Sequence, residues 1–132
     1  MLNQSNATLP NILLIEDDNV DILSIKNCFN KLNIKHNLYI ASSGVDALKM
    51  LEDKILKPDL FILDINMPKM NGFEFLNELH KKNINHFSNI VIVTTSSSPS
   101  DIEKANKFNI KHYLLKPINS NQFIKIYKEI VS

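Results

Sequence analysis

The chain has 132 residues and a formal net charge of +1; hydrophobic residues make up 44% of it and charged residues 22%. This length suits one compact domain, and the composition is that of a globular protein rather than a disordered or fibrous one. The near-neutral charge argues against direct nucleic-acid binding as the main role, because such binding favours a basic excess. The single cysteine, Cys28, excludes an internal disulfide and a zinc site of the CxxC type.

No segment of the sequence is typical of a membrane protein. The longest purely apolar runs have four residues, far fewer than the roughly 20 that span a bilayer. The first residues lack the basic and apolar regions of a signal peptide. We therefore expect no membrane segment and a cytoplasmic location, which one unpaired cysteine also fits. Residues 1–10 are polar and end at Pro10, which predicts a flexible lead-in before a single domain over residues 11–132.

Short apolar runs alternate with helical patterns along the rest of the chain. The runs predict buried strands over residues 11–16, 37–40, 60–64, 90–94 and 112–115. Apolar spacing predicts helices over 20–32, 43–51, 71–82 and 119–131, and Ser98 followed by Pro99 predicts the start of another. In the second helix, Val45, Leu48 and Leu51 are expected to lie on one side. Near-continuous apolar strands are buried on both faces, so we predict an α/β fold with a mostly parallel five-stranded sheet.

Polar side chains stand where the predicted strands end. In such a sheet, ligands bind beyond the carboxyl ends of the strands, near the point where the strand order reverses. The side chains expected at this edge are Glu16, Asp17 and Asp18 after the first strand, Asp64 at the end of the third, Thr94 at the end of the fourth and Lys116 after the fifth.

This combination of carboxylates, a hydroxyl and an ammonium points to phosphoryl chemistry on a metal site. Crowded carboxylates repel one another unless a cation neutralises them, and Mg²⁺ prefers oxygen ligands. Lys116 and Thr94 could then neutralise and hydrogen-bond an incoming phosphoryl group. Asp64 could act as the nucleophile and form an acyl phosphate. The acids after the first strand could instead serve only as helix caps. Tyr113, in the predicted fifth strand, could be an aromatic residue that only packs against its neighbours.

Four segments together resemble the receiver domains of bacterial two-component response regulators. They are I-L-L-I-E-D-D, L-F-I-L-D-I-N-M-P-K-M-N-G, I-V-I-V-T-T-S and H-Y-L-L-K-P, each at the end of a predicted strand. The resemblance covers nearly the whole chain from about Asn11. It implies a doubly wound, flavodoxin-like fold with five helices and the strand order 2-1-3-4-5.

The resemblance also implies roles for particular residues. Asp64 would be the phosphoacceptor. The Mg²⁺ ligands would be Asp17, Asp64, Glu16 through a coordinated water and the backbone carbonyl of Asn66, with Asp18 outside this set. The phosphoryl group would be bound by Thr94 and Lys116, the switch residues would be Thr94 and Tyr113, and Pro117 would be in the cis form.

Two matches to the family pattern are looser: one lies before the fifth strand, and the other is Thr95, which is bulkier than the small residue usual there and could narrow access for a phosphodonor. Asn109 and Ile110 stand where a Gly-Ala pair is common, but asparagine also adopts the left-handed conformation that a helix end needs. Ser96, two residues after Thr94, has no acid or amide group with which to orient an attacking water. We therefore expect slower dephosphorylation than in relatives with an acid at this position.

The implied function is a phosphorylation-controlled binding module. A sensor histidine kinase or a histidine phosphotransfer protein would supply the phosphoryl group, and the face of the fourth helix, fifth strand and fifth helix would engage a downstream protein or pass the group on. An Asp-nucleophile phosphatase is an alternative, although Asn66 stands where its general acid would be. A flavin-binding protein would need a less acidic first turn, and an unphosphorylated scaffold remains open. The four histidines lack mutual ligand spacing and are expected to be structural or exposed.

Overall fold

Five parallel strands form one sheet at the centre of the protein. The structure is a computed structural model that describes residues 8–52, 56–83 and 87–131. The strands are β1 (Asn11–Ile15), β2 (Asn37–Ala41), β3 (Leu60–Leu63), β4 (Ile90–Thr94) and β5 (His112–Leu115). They pair in the order β2-β1-β3-β4-β5, and every pairing is parallel. The predicted strand order is confirmed.

A helix follows each strand. The helices are α1 (Asn19–Lys31), α2 (Gly44–Glu52), α3 (Gly72–Lys81), α4 (Pro99–Lys107) and α5 (Ser120–Val131). The predicted strands and helices are all present, with ends that differ by one residue where they differ. A short 3₁₀ helix over Phe87–Asn89 was not predicted, because three residues carry no periodic signal. Among the described residues, no helix is both long enough and apolar enough to cross a membrane.

The two faces of the sheet bury separate cores. Alternate residues of β1 enter opposite cores, as the two-residue repeat of a strand requires: Leu13 and Ile15 lie on one side, and Ile12 and Leu14 on the other. The first core also takes in Ala47 and Leu48 of α2, Phe75, Leu76 and Leu79 of α3, and Ala105 of α4. The second takes in Ile25 and Phe29 of α1, and Phe123 and Tyr127 of α5. The doubly wound α/β fold is thereby confirmed.

The expectation that Val45 shares one side of α2 with Leu48 and Leu51 is wrong. Its side chain is 39% exposed, whereas Ala47 is fully buried and Leu48 is buried. Gly44, Ala47, Leu48 and Leu51 form the i, i+3, i+4, i+7 stripe of α2 that meets the sheet. Val45 lies beside that stripe, and the small Gly44 takes the buried position instead.

Asparagine ends three of the helices. Asn33, Asn83 and Asn109 each stand two residues after the last residue of α1, α3 and α4, with φ angles of 54°, 60° and 61°. This left-handed conformation closes the end of a helix and is usually taken by glycine. The chain has only two glycines, so asparagine, which tolerates the same region, takes this position. The expectation for Asn109 is confirmed.

The expected lead-in falls mostly outside the described residues, which begin at Thr8. Residues 8–10 have no regular secondary structure. Even so, the carbonyl oxygen of Pro10 accepts a hydrogen bond from the backbone N–H of Asn37 at 2.9 Å. Pro10 is therefore held against the start of β2.

Candidate functional site

Three carboxylates meet where β1 and β3 end. Glu16, Asp17 and Asp64 each contribute one oxygen atom, and these atoms all lie within 4.8 Å of one another. The sheet register explains this meeting, because Ile15 is paired with Leu63 and the backbone N–H of Asp64 donates to the carbonyl of Ile15 at 3.1 Å. The next residue of each strand, Glu16 and Asp64, must therefore stand at the same edge.

Two of these acids are buried. Glu16 is 2% exposed and Asp64 is 5% exposed, while Asp17 is exposed. Burial raises the pKa of Glu16 to about 7; the hydrogen bond from Lys116 lowers it, and the negative charge of Asp64 raises it. Desolvation and repulsion between like charges both favour the protonated acid. The crowded carboxylates therefore need positive charge close by.

Lys116 supplies one such charge. Its Nζ lies 2.8 Å from Oε1 of Glu16, 2.7 Å from Oδ2 of Asp21 and 3.7 Å from Oδ2 of Asp64. Burial alone would lower the pKa of Lys116, but the hydrogen bonds to Asp21 and Glu16 and the charge of Asp64 raise it above its ordinary value. The ammonium is therefore charged at neutral pH and shared among three acids.

Sequence reasoning missed Asp21. It lies in the first turn of α1, where an acid also interacts favourably with the positive end of the helix. Helical spacing gave no signal for Asp21, because Asp17 precedes the cap Asp18 and so lies outside α1. Asp18, in contrast, caps α1 and accepts hydrogen bonds from the N–H groups of Val20 and Asp21. The structure thus gives Asp18 a capping role and does not include it in the acidic cluster.

The donor set suits a hard divalent cation. All three groups in the cluster are carboxylates, and oxygen ligands are those preferred by Mg²⁺ and Mn²⁺. If they are all ionised, these three acids and Asp21 carry four negative charges against the single positive charge of Lys116. A divalent ion held by Glu16, Asp17 and Asp64 would offset two of the three remaining charges, so these residues fit the expected metal.

Thr94 and Asn66 are joined beside the acids. Thr94 is fully buried, and its Oγ1 accepts hydrogen bonds at 3.2 Å from both the side-chain amide of Asn66 and the backbone N–H of Ser96. The backbone N–H of Asn66 donates to Oδ1 of Asp64 at 3.1 Å. The loop after β3 therefore contacts both the proposed phosphoacceptor and the hydroxyl at the end of β4.

Lys116 is positioned by the main chain as well as by its ion pairs. Its backbone N–H donates to the carbonyl of Thr94 at 2.8 Å, which extends the pairing of β4 and β5 by one residue. The peptide bond between Lys116 and Pro117 is cis, as the resemblance implies. The hydroxyl of Thr94 and the ammonium of Lys116 therefore come from neighbouring strand ends.

Tyr113 is partly buried and packs against the first core. Its hydroxyl donates to the carbonyl oxygen of Ser96 at 2.8 Å, and the hydroxyl of Ser96 donates to Oδ2 of Asp101 at 2.6 Å. Burial raises the pKa of Tyr113, the hydrogen bond to Ser96 lowers it, and the charge of Asp101 raises it. Ser96 thus links Thr94, Tyr113 and α4.

The described histidines have separate structural surroundings. His36 stacks on Phe29 with ring centroids 4.1 Å apart, and His112 lies 2.8 Å from Glu129. His80 is exposed, and His86 is outside the described residues. Among the three histidines that the structure describes, none belongs to the acidic cluster.

Comparison with known proteins agrees with this geometry. The model of the family described as the response regulator receiver domain matches residues 12–128. The sensor histidine kinase CheAY of Helicobacter pylori is 30% identical over 122 residues, which are 91% of this chain but only 15% of that protein. The response regulator Rcp1 of Synechocystis is 29% identical, and the match covers 92% of this chain and 86% of Rcp1.

Solved structures give the same result. A two-component response regulator from Legionella pneumophila has a TM-score of 0.80 at 35% identity, and the match covers 92% of this chain and 97% of that one. The Mn²⁺-bound form of Rcp1 has a TM-score of 0.74 at 28% identity, covering 92% of this chain and 91% of that one. The similarity therefore extends over nearly the full length of both structures and includes a relative that holds a divalent metal.

Proposed function

The chain belongs to the response regulator receiver domain family, and from this membership we propose that Asp64 accepts a phosphoryl group in the presence of Mg²⁺. Members of this family are signalling domains rather than conventional enzymes. We propose residues 11–132 as the receiver domain. The observation that carries the proposal is the placement of Asp64, which is 5% exposed, beside two other acids and 3.7 Å from the ammonium of Lys116.

The proposed reaction is a transfer to a carboxylate oxygen. An oxygen of Asp64 attacks phosphorus, the bond between phosphorus and the donor breaks, and the donor leaves with the electron pair. The product is an acyl phosphate. Oδ1 of Asp64 accepts the N–H of Asn66, while Oδ2 faces Lys116. These contacts fix the orientation of the carboxylate before the reaction.

We propose that Mg²⁺ is held by Glu16, through a coordinated water, by Asp17 and Asp64, and by the backbone carbonyl of Asn66. When bound, the ion neutralises the acids and the charge of the phosphoryl oxygens. The Mn²⁺-bound form of the relative Rcp1 supports a divalent ion here. The chain's own contribution is an acidic cluster in which two of the three acids are buried.

Lys116 and Thr94 are proposed to bind the new phosphoryl group. The ammonium of Lys116 can neutralise one phosphoryl oxygen, and the hydroxyl of Thr94 can donate to another. For this, Thr94 has to turn its hydroxyl hydrogen toward the phosphoryl group. The hydroxyl oxygen receives hydrogen bonds from Asn66 and Ser96, so its own hydrogen remains a donor.

Tyr113 is proposed to report the change to partners. Tyr113 donates to Ser96 in this structure. A shift of Thr94 toward the phosphoryl group would open room for Tyr113 to turn further inward, and would change the face formed by α4, β5 and α5. The proposed donor is a sensor histidine kinase or a histidine phosphotransfer protein in the cytoplasm. The proposed output is contact with a downstream protein or onward transfer, without direct binding to nucleic acid.

Phosphorylation can be tested with acetyl phosphate and Mg²⁺, with the intact mass read before and after incubation. We expect the wild-type chain to gain one phosphoryl group and Asp64→Asn to gain none. Asp59→Asn is the matched control, because Asp59 precedes β3 and lies at the opposite end of the strand. Labelling of Asp64→Asn equal to wild type would refute the assignment. An unlabelled wild-type protein would favour the scaffold alternative, and turnover of a simple phosphate ester would favour the phosphatase.

A further inference from the structure

We infer that Asp21 restrains Lys116 in the unphosphorylated protein and thereby slows the uptake of a phosphoryl group by Asp64. This inference rests on the proposed function of Asp64. The close ion pairs of Lys116 are with Asp21, at 2.7 Å, and with Glu16, at 2.8 Å, whereas Asp64 lies 3.7 Å away. The ammonium that is needed at the phosphoacceptor is thus closer to two other acids.

The restraint is built into the start of α1. Asp18 caps this helix and accepts a hydrogen bond from the backbone N–H of Asp21 itself, which fixes the main chain there. The side chain of Asp21 is 32% exposed and that of Lys116 only 12%. The backbone of Asp21 is fixed by the helix cap, and that of Lys116 by strand pairing. An ion pair between two such partly buried residues costs less side-chain conformational entropy than an ion pair between two mobile surface residues.

Asp21 is distinct among the three acids that share Lys116. Glu16 and Asp64 belong to the acidic cluster proposed to hold the metal, and Asp21 does not. A divalent ion would therefore draw on Glu16 and Asp64 and leave Asp21 as a counter-ion of the lysine. A phosphoryl group on Asp64 adds negative charge that competes with Asp21 for the same ammonium. Asp21 is thus a positioning residue that acts through Lys116.

Removing the charge of Asp21 should speed phosphorylation. Asp21→Asn keeps the shape of the side chain and removes its charge. We expect this variant to take up the phosphoryl group from acetyl phosphate and Mg²⁺ about fivefold faster than wild type, a ratio that corresponds to the free energy of one partly exposed ion pair. Asp21→Glu keeps the charge and should stay near the wild-type rate. Asp46→Asn is the charge control, because Asp46 lies near the start of α2 and contacts Ser42 instead of Lys116.

The second measurement asks whether Asp21 acts through Lys116. In a Lys116→Met background, followed for hours because the reaction will be slow, Asp21→Asn should cause no further change. An unchanged or slower rate for Asp21→Asn, the same gain in Asp46→Asn, or a fivefold gain that persists without Lys116 would each overturn the inference. If the Lys116→Met protein gains no phosphate, the comparison of Asp21→Asn with Asp21→Glu and Asp46→Asn decides.

The two proposals fail in different ways. If wild type gains a phosphoryl group on Asp64 and Asp21→Asn behaves like wild type, only the inference about Asp21 is wrong. If wild type and Asp21→Asn both gain none, the proposed function is wrong and the inference falls with it.

Discussion

The side-chain amide of Asn66 donates a hydrogen bond to the hydroxyl oxygen of Thr94 at 3.2 Å, although Asn66 follows β3 and Thr94 is the last residue of β4. The amide of Asn66 is therefore engaged beside Asp64, the proposed phosphoacceptor. The hydroxyl of Ser96 is engaged as well, because it donates to Asp101. Neither group is placed to orient a water molecule for attack on an acyl phosphate, which supports the expectation of slow dephosphorylation.

Replacing Ser96 with glutamate should shorten the life of the phosphorylated protein. A carboxylate at this position could orient and deprotonate an attacking water, and we expect a rate of phosphate loss that is higher by about tenfold or more. The measurement is the decay of phosphoprotein after the donor is removed. Ser97→Glu adds the same charge at the next residue and should change the rate little. A wild-type protein that already decays as fast as Ser96→Glu would contradict this explanation.

Binding of Mg²⁺ should depend on pH through Glu16. Burial raises the pKa of this acid to about 7, so below that pH a proton competes with the cation. As the pH rises from 6 to 8 the proton is lost, and the affinity for Mg²⁺ should increase about tenfold. Titration followed by NMR of the backbone amides would measure both affinities. In Glu16→Gln the affinity should be weaker and this increase should vanish; an equal increase in that variant would assign the pH dependence to another group.

Asp17 and Asp18 are neighbours in sequence with different expected roles. Asp17→Asn should weaken Mg²⁺ binding by more than about tenfold, since even groups that only support a metal ligand contribute that much. Asp18→Asn should bind Mg²⁺ with nearly the wild-type affinity and keep its stability, because asparagine caps a helix as well as aspartate does. Equal losses of affinity in the two variants would mean that nearby charge, and not ligation by Asp17, is what matters.

Gly72 is required by close backbone packing. A Cβ atom at this position would lie 2.7 Å from Cα of Ile65 and 2.9 Å from the carbonyl oxygen of Asp64. Backbone atoms cannot move aside cheaply, so Gly72→Ala should lower the free energy of unfolding by about 1–3 kcal/mol. Urea denaturation measures this change.

Gly44→Ala is the control for Gly72→Ala. A Cβ atom there would meet the side chain of Met70, with Sδ at 2.8 Å, and a flexible methionine can move away. Alanine also favours the helix in which Gly44 lies. We therefore expect a smaller loss of stability in Gly44→Ala, and an equal or larger loss would contradict the argument from backbone packing.

The fold could be predicted from the sequence because its strands are nearly continuous apolar runs. The β4 and β5 bounds are those expected, and the cap at Ser98 with Pro99 after it marks the start of α4. Val45 was misplaced because one apolar residue beside a helical stripe looks like a member of it. The hydrophobic pattern cannot show that a glycine takes the buried position.

The sequence predicted which residues belong to the candidate site better than it predicted which acids form ion pairs with Lys116. Strand ends determine which side chains share an edge, so Glu16, Asp64 and Lys116 were expected together. Which acid lies closest to Lys116 depends on the position of α1 over the sheet, and the sequence carries no distance between these elements. Asp21 was therefore missed, although it lies as close to the ammonium of Lys116 as Glu16 does.

The backbone hydrogen bond from Lys116 to Thr94 fixes the register of Lys116 at the end of β5. The number of residues in β5 therefore determines the face of the sheet toward which the lysine side chain points. Successive side chains of a strand point to opposite faces. One residue inserted into or removed from His112–Leu115 would turn the lysine away from the acids while leaving the composition almost unchanged. The number of residues in β5 is therefore as strict a requirement for the proposed chemistry as the identity of the lysine itself.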